Sequence, residues 1–203
     1  MIVIGLTGPS GSGKGACDAI FDSLGIPYID TDKVYHDLLV PHSPCTVELR
    51  LAFGDDILTA DASIDRKKLA KIVFSDQSGE SAKRLNAITH KYVIQETNSL
   101  LDVYRKQDKI AVVIDAPLLI EANMHTGCDF CIGVLADKEL RLHRIMSRDG
   151  LDENAAQMRL DAQKEDAFYS SNTKYTVVNN GDLSALREAL IGILRTEGIP
   201  LEA

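Results

Sequence analysis

The sequence predicts an α/β protein built on a parallel sheet of about five strands flanked by helices. Three observations carry that expectation. Short apolar runs alternate with helical patterns almost to the end of the chain, as in successive βαβ units. Several of those runs are too continuously apolar for a sheet with one wet face, so they read as strands buried on both sides. The 203 residues, with 45% hydrophobic and 26% charged content, can bury one substantial core and carry an insertion.

The first run is Ile2 to Leu6. Directly after it stands Gly8-Pro9-Ser10-Gly11-Ser12-Gly13-Lys14-Gly15, followed by a stretch with apolar residues at Ala16, Ile20, Phe21 and Leu24. Strand, loop and helix in that order fit the pattern G-x-x-x-x-G-K, so the sheet is of the P-loop NTPase type. Glycines let backbone N–H groups wrap a phosphate, the helix N-terminus favours negative charge, and Lys14 reaches the outer phosphates. The eighth position is Gly15, where the pattern wants Ser or Thr. That hydroxyl normally ligates Mg²⁺, so a metal here is expected to keep a water in its place, held by Asp32 or Asp115.

The second run, Tyr28 to Ile29, leads into Ile29-Asp30-Thr31-Asp32 at the carboxyl end of a strand, the edge where open parallel sheets bind ligands. Residues at i and i+2 share a strand face, so Asp30 and Asp32 are expected to look together toward the phosphate loop. A carboxylate there accepts a proton from an attacking hydroxyl or orients metal-bound water. Alternatively, Asp32 caps a helix from Lys33 to Leu39. From Lys33 to Gln107 no strand is convincing, and helical patterns cover Val47 to Phe53, Arg66 to Phe74 and Ala82 to Val103. This is expected to be a helical subdomain inserted between the second and third strands.

The third strand, Ile110 to Ile114, ends in Asp115-Ala116-Pro117-Leu118-Leu119-Ile120-Glu121, an acid at a strand end of the Walker-B kind. The fourth, Phe130 to Leu135, contains Cys131 and follows Cys128. Side chains at i and i+3 of a strand point to opposite faces, so these thiols are expected to be separate core groups. Leu140 to Lys164 forms a second helical excursion with a basic face at Arg141, Arg144 and Arg148. Between Lys138 and Arg148, four Lys and Arg stand against one Glu, a local net of +3. That face is either solvated, with Leu142, Ile145 and Met146 inward, or an arginine lid joined by Arg159 and Gln163. The fifth strand is Tyr175 to Val178. A last helix carries Leu183, Leu186, Leu190 and Leu194, with Asp182 as its cap and Gly198 and Pro200 as its stop.

With 22 Lys and Arg against 30 Asp and Glu, the net charge is −8. Such a chain lacks the basic footprint of a protein that coats nucleic acid or anionic membrane, so an anionic ligand must be met by a local site. The first residues lack a basic n-region, and no run of about 18 apolar residues occurs, so neither a signal peptide nor a membrane span is expected. Four scattered cysteines do not make a disulfide framework. The expected location is the cytoplasm.

Taken together, the phosphate loop, Ile29 to Asp32, Leu85-Asn86-Ala87-Ile88-Thr89-His90-Lys91, Asp115 to Glu121, Arg148-Asp149 with Arg159 and Gln163, and Val177-Val178-Asn179-Asn180-Gly181 resemble, in order and spacing, the dephospho-coenzyme A kinase family. The resemblance covers essentially the whole chain. It implies a single P-loop kinase domain with a core (1–32, 108–137 and 174–203), an acceptor-binding helical insert (33–107) and a lid (138–173). The implied reaction moves the γ-phosphoryl group of ATP, with Mg²⁺, to the ribose 3′-hydroxyl of dephospho-coenzyme A. Gly11, Ser12, Gly13, Lys14, Gly15 and Ala16 would hold the ATP phosphates, and Asp32 would be the general base. His90, Leu118, Leu119, Ile120 and Glu121 would line the acceptor pocket, Arg148 and Arg159 would belong to the lid, and Asn180 and Gly181 would lie near the adenine. Two positions depart from the family, Gly15 and Lys91, the latter standing where Pro is usual. The partners implied are ATP and dephospho-coenzyme A, with no nucleic acid or membrane, in a monomer or weak homo-oligomer. The alternatives are another P-loop small-molecule kinase, such as a nucleoside monophosphate kinase, or a non-catalytic nucleotide-binding regulator.

Overall fold

In a computed structural model of the chain, which describes residues 1–201, five parallel strands form one sheet in the order β2-β3-β1-β4-β5. They are β1 (Ile2–Thr7), β2 (Tyr28–Asp30), β3 (Ala111–Asp115), β4 (Phe130–Leu135) and β5 (Tyr175–Val178). Each falls on its expected apolar run. Three of them close on a polar residue that still pairs in the ladder: Thr7 opposite Gly133, and Asp30 opposite Asp115. Residues 202 and 203 of the expected core segment 174–203 lie outside the described residues.

The helices are α1 (Lys14–Ser23), α2 (Thr31–Asp37), α3 (Pro44–Phe53), α4 (Arg66–Ser75), α5 (Glu80–Lys106), α6 (Lys138–Asp149), α7 (Glu153–Asp161), α8 (Asp166–Asn172) and α9 (Leu183–Thr196). Packing divides the chain into two compact units, one of Met1–Asp30 with Val103 onward, the other of Thr31–Asp102.

In the first unit, Ile4, Leu6, Val113, Ile132, Val134 and Val177 share one sheet face. They pack under Cys17, Ile20 and Phe21 of α1 and Leu186, Leu190, Ile193 and Leu194 of α9. The opposite face is also buried, at Val3, Val112, Ile114 and Cys131, as a crossover-built parallel sheet requires. Helix α9 begins where Asp182 accepts hydrogen bonds from the N–H groups of Ser184 and Ala185, and its leucines follow at helical spacing.

In the second unit, Leu39, Cys45, Leu49, Ile57, Ile64, Leu69, Val73 and Ile88 form a separate apolar core. Ser43 caps α3 with Pro44 behind it, and Asp65 caps α4. Helix α5 runs unbroken through Lys91, which has the N–H that Pro would lack. Lys91 and Tyr92 both donate to Oε2 of Glu48, at 2.7 and 2.6 Å, and so tie α5 to α3.

Two local expectations are corrected. Strand β2 ends at Asp30 and α2 begins at Thr31, so Asp32 lies in the first helical turn. The pleat argument that paired Asp30 with Asp32 on one face therefore does not apply, and Asp32 is not a cap placed ahead of the helix. The second correction concerns Cys128, which precedes β4 at the end of a short 3-10 turn rather than on the strand. Its thiol meets that of Cys131, and this hydrogen bond together with burial raises its pKa. Both sulfurs crowd Gly5 of β1, where a Cβ would lie 2.8 Å from Cys131 Sγ and 3.1 Å from Cys128 Sγ.

Candidate active site

Strand β1 delivers the chain to Gly8 at the carboxyl edge of the sheet, and the loop turns there into α1. Gly13 immediately precedes the helix at φ 91° and ψ 36°, and a Cβ on it would lie 2.1 Å from Nδ2 of Asn179. No other residue fits that position without strain.

The loop carbonyls are claimed from outside. Ser10 O accepts from Arg141 Nε at 3.2 Å, and Gly11 O from Arg144 Nη1 at 3.1 Å. Ser12 O accepts from Arg144 Nη1 at 3.3 Å and from Asn179 Nδ2 at 2.9 Å. In a trans peptide the C=O of one residue and the N–H of the next point in opposite directions. The N–H groups of Gly11, Ser12 and Gly13 are therefore turned away from these side chains, that of Ser12 toward Pro9 O at 3.2 Å. The first turn of α1 adds further N–H groups and the positive end of its dipole. Such a loop is a cradle for a phosphate-sized anion.

Beside the cradle lies a compact set of charges. Asp115 closes β3, with its Cα paired to Leu6 on one side and Asp30 on the other. Lys14 Nζ stands 3.9 Å from Asp115 Oδ1, and each side chain is 14% exposed. Asp18, one turn after Lys14 on α1, is 6% exposed and hydrogen-bonded to Asp115. Burial first, then the Asp115 charge and that hydrogen bond, push the Asp18 carboxyl up to about 8 against the pull of Lys14. Nothing in the motif marks Asp18; its signal was the i, i+4 spacing from Lys14 on a face that is otherwise apolar. Gly15 is exposed, with nothing within 4 Å of where its Cβ would stand.

The basic face of α6 divides into two parts. Arg141, 5% exposed, donates to Ser10 O, Gln163 Oε1 and Asp166 Oδ1, while Gln163 Oε1 also accepts from Ser10 N at 2.7 Å. Arg144 bridges Gly11, Ser12 and Asn179 carbonyls. These two arginines are therefore buttresses of the loop, while Ile145 packs inward against Ala156 and Leu160. Arg148 and Arg159, nearer the surface, share Asp149: Arg148 Nε donates to Oδ1 at 2.8 Å and Arg159 Nη1 to Oδ2 at 2.7 Å. The Arg148 hydrogen bond holds the Asp149 carboxyl below the usual range. Arg148 also reaches Ser10 Oγ at 3.2 Å, so this outer arginine touches the loop as well.

Removing Arg144 should be felt at the cradle. Hydrogen bonds to a charged donor contribute about 1.5–3 kcal/mol, so Arg144→Ala is expected to weaken the binding of a nucleoside polyphosphate by about tenfold or more. Titration calorimetry on the folded variant measures it, and an affinity within a factor of about two of the parent would mean that the loop holds its shape without Arg144.

The remaining candidates are scattered. Leu118 is 46% exposed and Glu121 is exposed, whereas Leu119 is wholly buried, with Cδ2 2.7 Å from where a Gly5 Cβ would lie, so it anchors the turn rather than offering surface. Ile120 is also buried. Asn180 Oδ1 accepts from Asp137 N at 3.0 Å, joining the end of β5 to the start of α6. Gly181 follows at φ 113°. Its neighbour Asn179, rather than Asn180, supports the phosphate loop. Asp32 and His90 belong to the second unit, on α2 and α5. Among the described residues no group of three or more His, Cys, Asp or Glu could close around a metal, and no helix is long and apolar enough to cross a membrane.

Comparison with known proteins gives a consistent result. The family model for dephospho-CoA kinase matches residues 2–185. The dephospho-CoA kinase of Moorella thermoacetica is 38% identical over 191 residues, covering 94% of this chain and 89% of that protein. That of Geobacter metallireducens is 38% identical over 202 residues, 98% of each chain. Among solved structures, dephospho-CoA kinase from Campylobacter jejuni superposes with a TM-score of 0.70 at 26% identity, covering 96% of both chains.

Proposed function

The chain belongs to the dephospho-CoA kinase family, and on that footing we propose how its residues carry the reaction. The protein is a kinase of coenzyme A biosynthesis that phosphorylates dephospho-CoA with ATP, the acceptor being the ribose 3′-hydroxyl. One observation supports the assignment of roles most strongly. Carbonyls of three successive loop residues are held by Arg141, Arg144 and Asn179, which supports a loop whose remaining N–H groups, with those of the first turn of α1 and Lys14, are left to meet a polyphosphate.

Gly11 to Ala16 bind the β- and γ-phosphates through backbone N–H groups, and Lys14 neutralises their outer oxygens. Asp32 orients the 3′-hydroxyl and takes its proton. Arg148 and Arg159 close over the transferring group, exclude water and offset its charge, since an open site would hydrolyse ATP. His90, Leu118 and Glu121 line the acceptor pocket, with Leu119 and Ile120 holding the turn beneath them. Asn180 and Gly181 border the adenine. The insert 33–107 binds the acceptor and segment 138–173 acts as the lid.

Mg²⁺ would neutralise charge across the β- and γ-phosphates, and Asp115 and Asp32 would hold it through water. The residues present fit that ion: Asp115 offers hard carboxylate oxygens beside Lys14, and the open space at Gly15 leaves room for a water where a hydroxyl is missing. A cytoplasmic monomer or weak homo-oligomer without nucleic-acid partners completes the proposal.

A coupled assay of ADP release with ATP, Mg²⁺ and either dephospho-CoA or a panel of nucleoside monophosphates tests the substrate. Turnover with dephospho-CoA at least about 100-fold above every monophosphate is expected, because a pocket built to hydrogen-bond its substrate rejects analogues strongly. Comparable rates with a monophosphate would assign the acceptor pocket to that substrate instead.

A further inference from the structure

Position 15 has lost its hydroxyl, yet the chain has placed a carboxylate one turn further along the same helix. Residues 15 and 18 are i, i+3 neighbours on α1, and Lys14 and Asp18 are i, i+4 neighbours, so Asp18 stands within one turn of both positions. Aspartate is almost never buried unless it is paired, and a second carboxylate is a costly neighbour for it. Asp18 is 6% exposed, directly against Asp115, and its Oδ1 meets no hydrogen-bond partner. A residue that merely filled the gap between α1 and β3 would need no carboxyl group. Independently, the space beside Gly15 is open: nothing lies within 4 Å of where a Cβ would stand.

We propose that Asp18 joins Asp115 in holding the Mg²⁺ that accompanies the nucleotide, supplying the oxygen ligand that the missing side chain at position 15 does not. The proposal rests on the assignment of the loop to ATP phosphates. Mg²⁺ is usually held by one or two carboxylates, with phosphate oxygens and waters completing its shell, rather than by an all-protein cage. Two acids next to Lys14 are that kind of partial site. The structure thus assigns Asp18 a metal-holding part that the phosphate-loop motif does not contain.

The test uses Mn²⁺ as the probe. Its affinity for the ADP-loaded protein is read from the loss of the free Mn²⁺ paramagnetic resonance signal, and metal-free ADP binding is read by calorimetry in EDTA. Asp18→Asn keeps the shape and can still hydrogen-bond Asp115, so the variant should fold. It is expected to weaken Mn²⁺ binding by about tenfold or more while metal-free ADP binding stays within about twofold. Adding Gly15→Ser to Asp18→Asn is expected to recover most of the Mn²⁺ affinity, because the hydroxyl returns. Unchanged Mn²⁺ affinity in Asp18→Asn, or equal losses of Mn²⁺ and metal-free ADP binding, would overturn the proposal alone. Failure of the parent protein to bind ADP at all would overturn the assignment of the loop and this proposal with it.

Discussion

Asp32→Asn is expected to lower turnover of dephospho-CoA by about 10²- to 10⁴-fold, the range for loss of a positioned general base, with ATP affinity nearly unchanged. The substitution keeps the side-chain volume and removes only the ability to accept a proton. Asp32 lies in the first turn of α2, two residues beyond Asp30, whose Cα is paired with Asp115 at the end of β3. An acid in a first helical turn contributes about 0.3–1 kcal/mol through the helix dipole, so folding should survive its loss. Phosphoryl transfer has a loose transition state and asks little of a base, which makes the size of the effect informative. Single-turnover rates with saturating ATP, alongside calorimetric ATP binding, separate the chemical step from affinity. Near-parental turnover would remove Asp32 from the role.

Gly8→Ala is expected to destabilise the protein by about 3 kcal/mol or more, a shift in melting temperature of roughly 6–12 °C for a chain of this size. At φ 151° a Cβ on Gly8 would sit 2.2 Å from the carbonyl oxygen of Val134. That oxygen is backbone of β4, a central strand, so neither partner can step aside as a flexible side chain would. Relief requires β1 and β4 to separate where Thr7 pairs with Gly133, at the root of the phosphate loop. Nucleotide affinity should fall with stability. Thermal unfolding with and without ATP measures both, and a melting temperature within about 2 °C of the parent would show that the strand edge yields.

Most of the fold was legible in the sequence because its signals are local. Five apolar runs became five strands, the glycine loop fell between β1 and α1, and Asp182 with Gly198 bracketed α9, since each depends on residues close in the chain. The site was legible where a motif concentrates it, at Gly11 to Ala16 and Lys14. It was illegible where residues act on distant backbone. Arg144 and Asn179 read as a helix-face charge and a strand-end amide, yet both hold Ser12 O. Asp18 lay inside an apolar helix pattern, and its partner Asp115 is nearly a hundred residues away. The misplacement of Asp32 came from extending a strand by two residues, since helix geometry takes over at Thr31 and period-two reasoning stops there. The meeting of Cys128 and Cys131 was missed for the same reason: one thiol is on a turn and the other on the strand.

The outward clamping of the loop carbonyls has a consequence for the order in which this protein matures. The clamps come from Arg141, Arg144 and Asn179, 131 to 167 positions later than the loop residues they hold. Contacts of such separation close late in folding, because loop-closure entropy must be overcome before they form. A nascent chain that has emerged only as far as β3 already carries every glycine of the motif, but it lacks the side chains that aim the amides. The full set of clamps on the loop carbonyls thus closes only once β5 and the asparagines that follow it have joined the sheet.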